Sequence, residues 1–178
     1  QDLLGNHNGS ESGVIFGAEG ATNHTGTAAE FNGSSSTITV PFDSAMNPKS
    51  FTLSMWVNAD STSGFASPVT SRDDTPTSVH GYLVYNDSRG NWNFWTGTGG
   101  PSGAWNQMSG GKVEIGSWTH IAVSFDDNSQ TKKLYVNGSL AGSNSAPNLY
   151  SKNGPQSENL HIGSGADSGG AFFFDGLI

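Results

Sequence analysis

The residues of this sequence best suited to chemistry are aromatic rings and carboxamides. Asn91-Trp92-Asn93-Phe94-Trp95 alternates the two types. In an extended strand successive side chains point to opposite faces, so Trp92 and Phe94 share one face and Asn91, Asn93 and Trp95 the other. A flat ring covers the apolar C–H face of a pyranose, and amides satisfy its hydroxyls. If Trp105, on the adjoining Gly/Ser-rich stretch, closes over them, Asn91, Asn93, Trp95 and Trp105 make a sugar-binding set. The competing reading is that Trp95 and Trp105 only pack a loop onto a sheet. Trp56 and Trp118 read as structural.

Other chemistries lack their residues. Cysteine is absent, which excludes disulfide frameworks, thiolate zinc sites and cysteine nucleophiles. His7, His24, His80 and His161 are scattered without metal-ligand spacing. His120 falls in mid-strand and reads as a packed histidine, not a base. Glycoside hydrolysis needs two carboxylates on one face, roughly 5–10 Å apart. Asp73-Asp74 are adjacent and point apart, and Glu114-Ile115-Gly116 has no second acid two residues on. No Gly-x-Ser-x-Gly elbow is present.

The balance of 15 Asp+Glu against 7 Lys+Arg leaves a net charge of −8, and no basic run exceeds Lys132-Lys133. Nucleic acids and anionic membrane surfaces are therefore not expected as partners. No apolar run reaches the length of a membrane span. The chain opens on Gln1, which reads as a processed or excised chain from an exported protein.

The elements that must position these residues are strands. Gly alone supplies 25 of 178 residues, and Gly, Ser, Asn and Thr together approach half. These are poor helix formers with rich turn chemistry. Five Trp, four Tyr and ten Phe lie among β-branched residues in compact runs, which argues against disorder. Alternation predicts strands at 13–18, 27–31, 36–40, 51–58, 66–71, 82–86, 91–95, 112–115, 118–125, 132–136, 159–163 and 171–178. Residues 87–90 and 126–131 read as hairpin turns. Asn32-Gly33 and Asn137-Gly138 are the dipeptides best able to place two residues at positive φ. Gly97–Gly111 and Ser143–Ser157 read as long loops. Phe51, Leu53, Met55 and Val57 form one apolar face, and Thr119, Ile121, Val123 and Phe125 another. Such one-sided burial predicts a two-sheet antiparallel sandwich forming a single domain over 1–178.

Gly116-Ser117-Trp118-Thr119-His120-Ile121-Ala122-Val123-Ser124-Phe125-Asp126, followed by Leu134-Tyr135-Val136-Asn137-Gly138, resembles the signature of laminin G-like domains in the concanavalin A-like lectin/glucanase superfamily. Four further pieces fall in the family's order: Phe31-Asn32-Gly33 with Ile38-Thr39-Val40, Phe51–Val57, Leu160-His161-Ile162-Gly163 and Phe174–Ile178. The resemblance implies an all-β jelly-roll sandwich. It also implies that the pattern continues past Ile178, so that the last strand is clipped here. The Glu-x-Asp-x-Glu run of the family's glucanases is missing, as are the Arg-rich and Gln-x-His strands of its alginate lyases. Asp2-Leu3-Leu4-Gly5-Asn6 resembles the family's opening, which implies a structural calcium ion held by Asp2 and Asn6. A plain Asx-turn is the other reading of that segment.

These readings converge on a non-catalytic carbohydrate-binding or adhesion module of an extracellular or cell-surface protein. Its partner would be a polysaccharide or glycan, with a protein ligand also compatible. Two alternatives stand beside it: a glycan-active glycosidase or lyase with an atypical site, and a structural or protein-binding spacer.

Overall fold

The computed structural model describes residues 2–75, 78–100, 103–153, 158–165 and 171–178. Fifteen strands run in chain order: β1 (Ser10–Ser12), β2 (Ile15–Glu19), β3 (Thr27–Asn32), β4 (Thr37–Val40), β5 (Phe51–Ala59), β6 (Ala66–Thr75), β7 (Ser78–Asn86), β8 (Asn91–Gly97), β9 (Trp105–Asn106), β10 (Ser109–Lys112), β11 (Trp118–Asp126), β12 (Thr131–Val136), β13 (Ser139–Ser145), β14 (Leu160–Ile162) and β15 (Asp175–Leu177). One 3-10 turn covers Ser44–Met46.

The strands form the two antiparallel sheets of a sandwich. One has the order β1-β4-β14-β6-β7-β8-β10, with β9 also on β8; the other has the order β13-β12-β11-β5-β15-β3-β2. The core fills from both inner faces. Val69, Val84, Trp92 and Phe94 of the first sheet meet Val57, Ile121, Val123 and Leu134 of the second. In β11 every second residue from Thr119 to Phe125 is buried, while Trp118, His120, Ala122 and Ser124 are only half-buried. This is the alternation read from the sequence, and β5 repeats it on the neighbouring strand in register, Val57 opposite Thr119 and Met55 opposite Ile121.

The turns largely follow their residues. Asn137 and Gly138 both take positive φ, 50° and 76°, and join β12 to β13. At Asn32-Gly33 only Gly33 does, at 67°. Asn32 stays in β3, and its side-chain oxygen accepts the N–H groups of Ser34, Ser35 and Ser36.

Several strands depart from the sequence reading. β15 covers only Asp175–Leu177 of the strand expected at 171–178, while β6 runs on to Thr75 and β7 starts already at Ser78 because the two pair along their length. The strand expected at 112–115 lies at Ser109–Lys112 instead. Together with β9 it breaks up the stretch read as one long loop. β1 and β13 were not anticipated. The β13 residues, Ser139-Leu-Ala-Gly-Ser-Asn-Ser145, have weak strand propensity, but pairing with β12 from Ser139 to Ser145 satisfies their backbone. The second expected loop therefore begins inside a strand, and its residues 154–157 lie outside those described.

Candidate functional site

A groove of about 550 Å³ opens on the outer face of the first sheet. β8 supplies Asn91, Asn93 and Trp95 to it, as alternation predicts, while Trp92 and Phe94 are buried beneath with 1% and 0% exposure. The β7–β8 turn adds Asp87, Ser88 and Arg89. Gln107 and Ser109 come from the β9–β10 segment, and Phe65 from the approach to β6.

Asp87 organises the polar side of the groove. One carboxylate oxygen accepts the N–H groups of Arg89 (2.9 Å) and Asn91 (3.0 Å). The other accepts Asn93 Nδ2 at 3.0 Å. Burial opposes ionisation of Asp87, but the Asn93 amide, the two backbone N–H groups and the Arg89 charge outweigh it. The carboxyl is held below its ordinary value. Lys112 Nζ reaches Asn91 Oδ1 at 2.9 Å. The described residues make no hydrogen bond to Asn93 Oδ1 or to the Gln107 amide.

Trp95 forms the aromatic side. Its ring meets Tyr85 at 5.5 Å and Phe65 at 5.6 Å, both edge-on. Its indole Nε1 is buried with no partner among the described residues.

Trp105 does not close over the groove. It sits in β9 opposite Gly97 and packs under the Arg72 guanidinium at 5.6 Å. Arg72 also donates to Tyr85 Oη at 3.0 Å and pairs with Asp74 at 3.1 Å. Trp105 is thus linked to Trp95 through Arg72 and Tyr85, because β9 pairs with the far end of β8 instead of folding back over its centre. Trp56 and Trp118 lie on the opposite sheet, and the Trp56 ring packs on His120 at 5.1 Å.

At the N-terminus, Asp2 and Asn6 meet in a turn. The Asp2 carboxylate accepts the N–H groups of Leu4 (3.1 Å), Asn6 (3.1 Å) and His7 (3.0 Å). Calcium takes six to eight oxygens. Here one carboxylate already carries three N–H donors, and among the described residues no three His, Asp or Glu side chains gather to hold an ion. The three N–H groups on Asp2 make the segment an Asx-type turn.

Sequence reasoning missed Phe65, Asp87, Gln107 and Lys132. Phe65 carried a readable signal, since it is the lone aromatic in Ser61-Thr-Ser-Gly-Phe65. Lys132 carried none. It is fully buried beneath the groove, where Nζ donates to Phe94 O (3.3 Å), Thr96 Oγ1 (3.2 Å) and Asn106 O (2.6 Å). Phe94 lies between Asn93 and Trp95, and Asn106 precedes Gln107, so this amine ties both walls of the groove from below. No carboxylate is among its partners, and burial pushes its pKa down to about 7.

The profile of the concanavalin A-like lectin/glucanases superfamily matches residues 32–178. Among solved structures, the chain is similar to the CBM40 of the Ruminococcus gnavus IT-sialidase bound to α2,3-sialyllactose, with TM-score 0.70 and 13% identity over 85% of each chain. It is similar also to domain 4 of an extracellular arabinanase from Geobacillus stearothermophilus in complex with arabinotriose, with TM-score 0.68 and 23% identity over 99% of this chain and 82% of that one. A third likeness is to domains LG4-5 of mouse laminin α1, with TM-score 0.60 and 12% identity over 90% of this chain and 41% of that one. At these identities the likeness is one of fold. Among curated proteins none matches this sequence.

Proposed function

Because this chain belongs to the concanavalin A-like lectin/glucanases superfamily, we propose that it is a non-catalytic carbohydrate-binding module of an extracellular protein and that its site is the groove on β8. The observation that carries this reading is the company Trp95 keeps. A partly open indole stands beside the amides of Asn91, Asn93 and Gln107 in one groove. Rings and amides in that arrangement match the two kinds of surface a sugar presents. Among the described residues of the groove Asp87 is the one carboxylate. Its depressed pKa and full set of donors suit it to holding the site in shape, whereas a glycosidase acid needs a raised pKa and a second carboxylate. The sialyllactose and arabinotriose complexes of its structural neighbours supply the first ligands to try.

The test is titration calorimetry with α2,3-sialyllactose and arabinotriose, and affinity electrophoresis against soluble arabinan, galactan, xylan, mixed-linkage glucan and sialylated mucin. Trp95→Ala should weaken binding about five- to tenfold, since a stacked ring contributes roughly 1 kcal/mol beyond its area and about 1.4 kcal/mol is a factor of ten. Retention of no glycan, or binding untouched by Trp95→Ala, would remove the groove from this role. Release of reducing ends would make the domain an enzyme.

A further inference from the structure

We propose that Phe65 and Phe172 form an aromatic ridge joining the groove to a second pocket, so that the site takes a linear, neutral oligosaccharide spanning both instead of a single terminal sugar. This rests on the carbohydrate-binding reading and specifies its ligand.

Phe65 lines two cavities at once. One is the groove, and the other is a pocket of about 240 Å³ bounded by Ser61, Ser63, Phe172 and Asp175. Phe65 and Phe172 are 45% and 39% exposed, and their rings stand 6.3 Å apart and nearly perpendicular. Trp95 stands 5.6 Å from Phe65, and Trp95, Phe65 and Phe172 all pack around Tyr85 at 5.5–5.6 Å, so the rings form one aromatic cluster that borders both cavities. Two neighbouring half-exposed phenylalanines are costly in water unless something covers them. A chain of sugar rings presents apolar C–H faces at successive units and can lay them over the exposed edge of this cluster.

Phe172 is held in place by its surroundings. Its φ is +56°, a left-handed conformation that bulky residues rarely adopt. It persists because its carbonyl accepts Ser67 N–H at 2.8 Å and its ring packs on Tyr85 at 5.6 Å. The far pocket supplies polar contacts. Among the described residues the Asp175 carboxylate has no side-chain partner, and the Ser61 and Ser63 hydroxyls bond each other at 3.0 Å. A carboxylate accepts sugar hydroxyls and repels an anionic sugar, which selects a neutral unit there. Gly33 keeps the wall open, since a Cβ at that position would lie 2.9 Å from Asp175 Cβ.

The experiment takes the best-retained polysaccharide of the panel above and titrates its oligosaccharides of increasing length. Affinity of the wild type should rise about tenfold or more between the shortest binding oligosaccharide and one twice as long, a gain of about one ring-stacking contact and its hydrogen bonds. Phe172→Gly, which suits the left-handed backbone and lies outside the groove, should flatten that rise while leaving affinity for the short oligosaccharide nearly intact. Phe65→Ala, which removes a ring lining both cavities, should weaken short and long oligosaccharides alike. A wild-type affinity independent of length, or a length dependence unchanged in Phe172→Gly, overturns the ridge and leaves the binding module standing. Retention of no polysaccharide overturns the reading beneath both.

Discussion

Lys132 offers the sharpest test of how the site is built. In the unfolded chain its amine holds a proton up to roughly pH 10.4. In the fold it gives the proton up near pH 7, because burial between the sheets penalises the charge and no carboxylate offsets it. Between those values the unfolded chain binds more protons than the native state, so stability rises with pH, by at most about 1.4 kcal/mol per unit. Below pH 7 both states are protonated and the contribution is flat. Tyr82 limits the window from above. Burial pushes its pKa up to about 12, so the unfolded state loses tyrosine protons first and stability falls as pH rises past about 10. From pH 7 to 9.5 the gain from Lys132 reaches about 3 kcal/mol, or roughly 6–12 °C in Tm for a domain of this size. Melting curves at half-unit steps, compared between wild type and Lys132→Met, check this. The variant loses three hydrogen bonds and the buried charge together, so the diagnostic is the slope against pH, not Tm at one pH. The slope should vanish in Lys132→Met. A wild-type Tm that is flat from pH 7 to 9.5 would show that the amine keeps its proton, and the desolvation argument would fail.

Trp92→Ala should destabilise the fold by about 3–5 kcal/mol in chemical denaturation, since that ring is buried, whereas Trp95→Ala should melt near wild type. The reverse order would mean that the faces of β8 are exchanged. Gly163→Ala should cost on the order of 3 kcal/mol, because φ there is +81° and the new Cβ would overlap the Phe31 ring. A chelator should leave Tm unchanged, given the donors around Asp2; a fall restored by calcium would place an ion in the fold. Asp87 contributes its full stabilisation above its unfolded value of 3.8 and loses it as pH falls through the lower native value. The Asn93 side-chain amide resonances should therefore titrate with a midpoint below 3.8, and a midpoint above it would refute the assigned hydrogen bonds.

The period-two alternation of β5, β8 and β11 was legible in the sequence, and with it the sandwich, the inner faces and the outward set Asn91, Asn93 and Trp95. Alternation is a local property of an extended chain, so neighbouring residues suffice to assign it. The Asn137-Gly138 hairpin was legible for the same reason. What lay beyond reach depends on register between distant segments. Trp105 sits beside Arg72 because β9 pairs with Gly97, and nothing near Trp105 in the chain states that pairing. β13 is a strand because β12 offers its backbone partners, against its own propensity. Phe65 and Phe172 meet across more than a hundred residues. Lys132 follows the alternation of β12 into the core, as its polarity would not suggest, because two carbonyls and a hydroxyl of the opposite sheet stand where its three N–H groups arrive. Side-chain type determined which residues could bind a sugar. The packing of one sheet on the other decided which of them stand together.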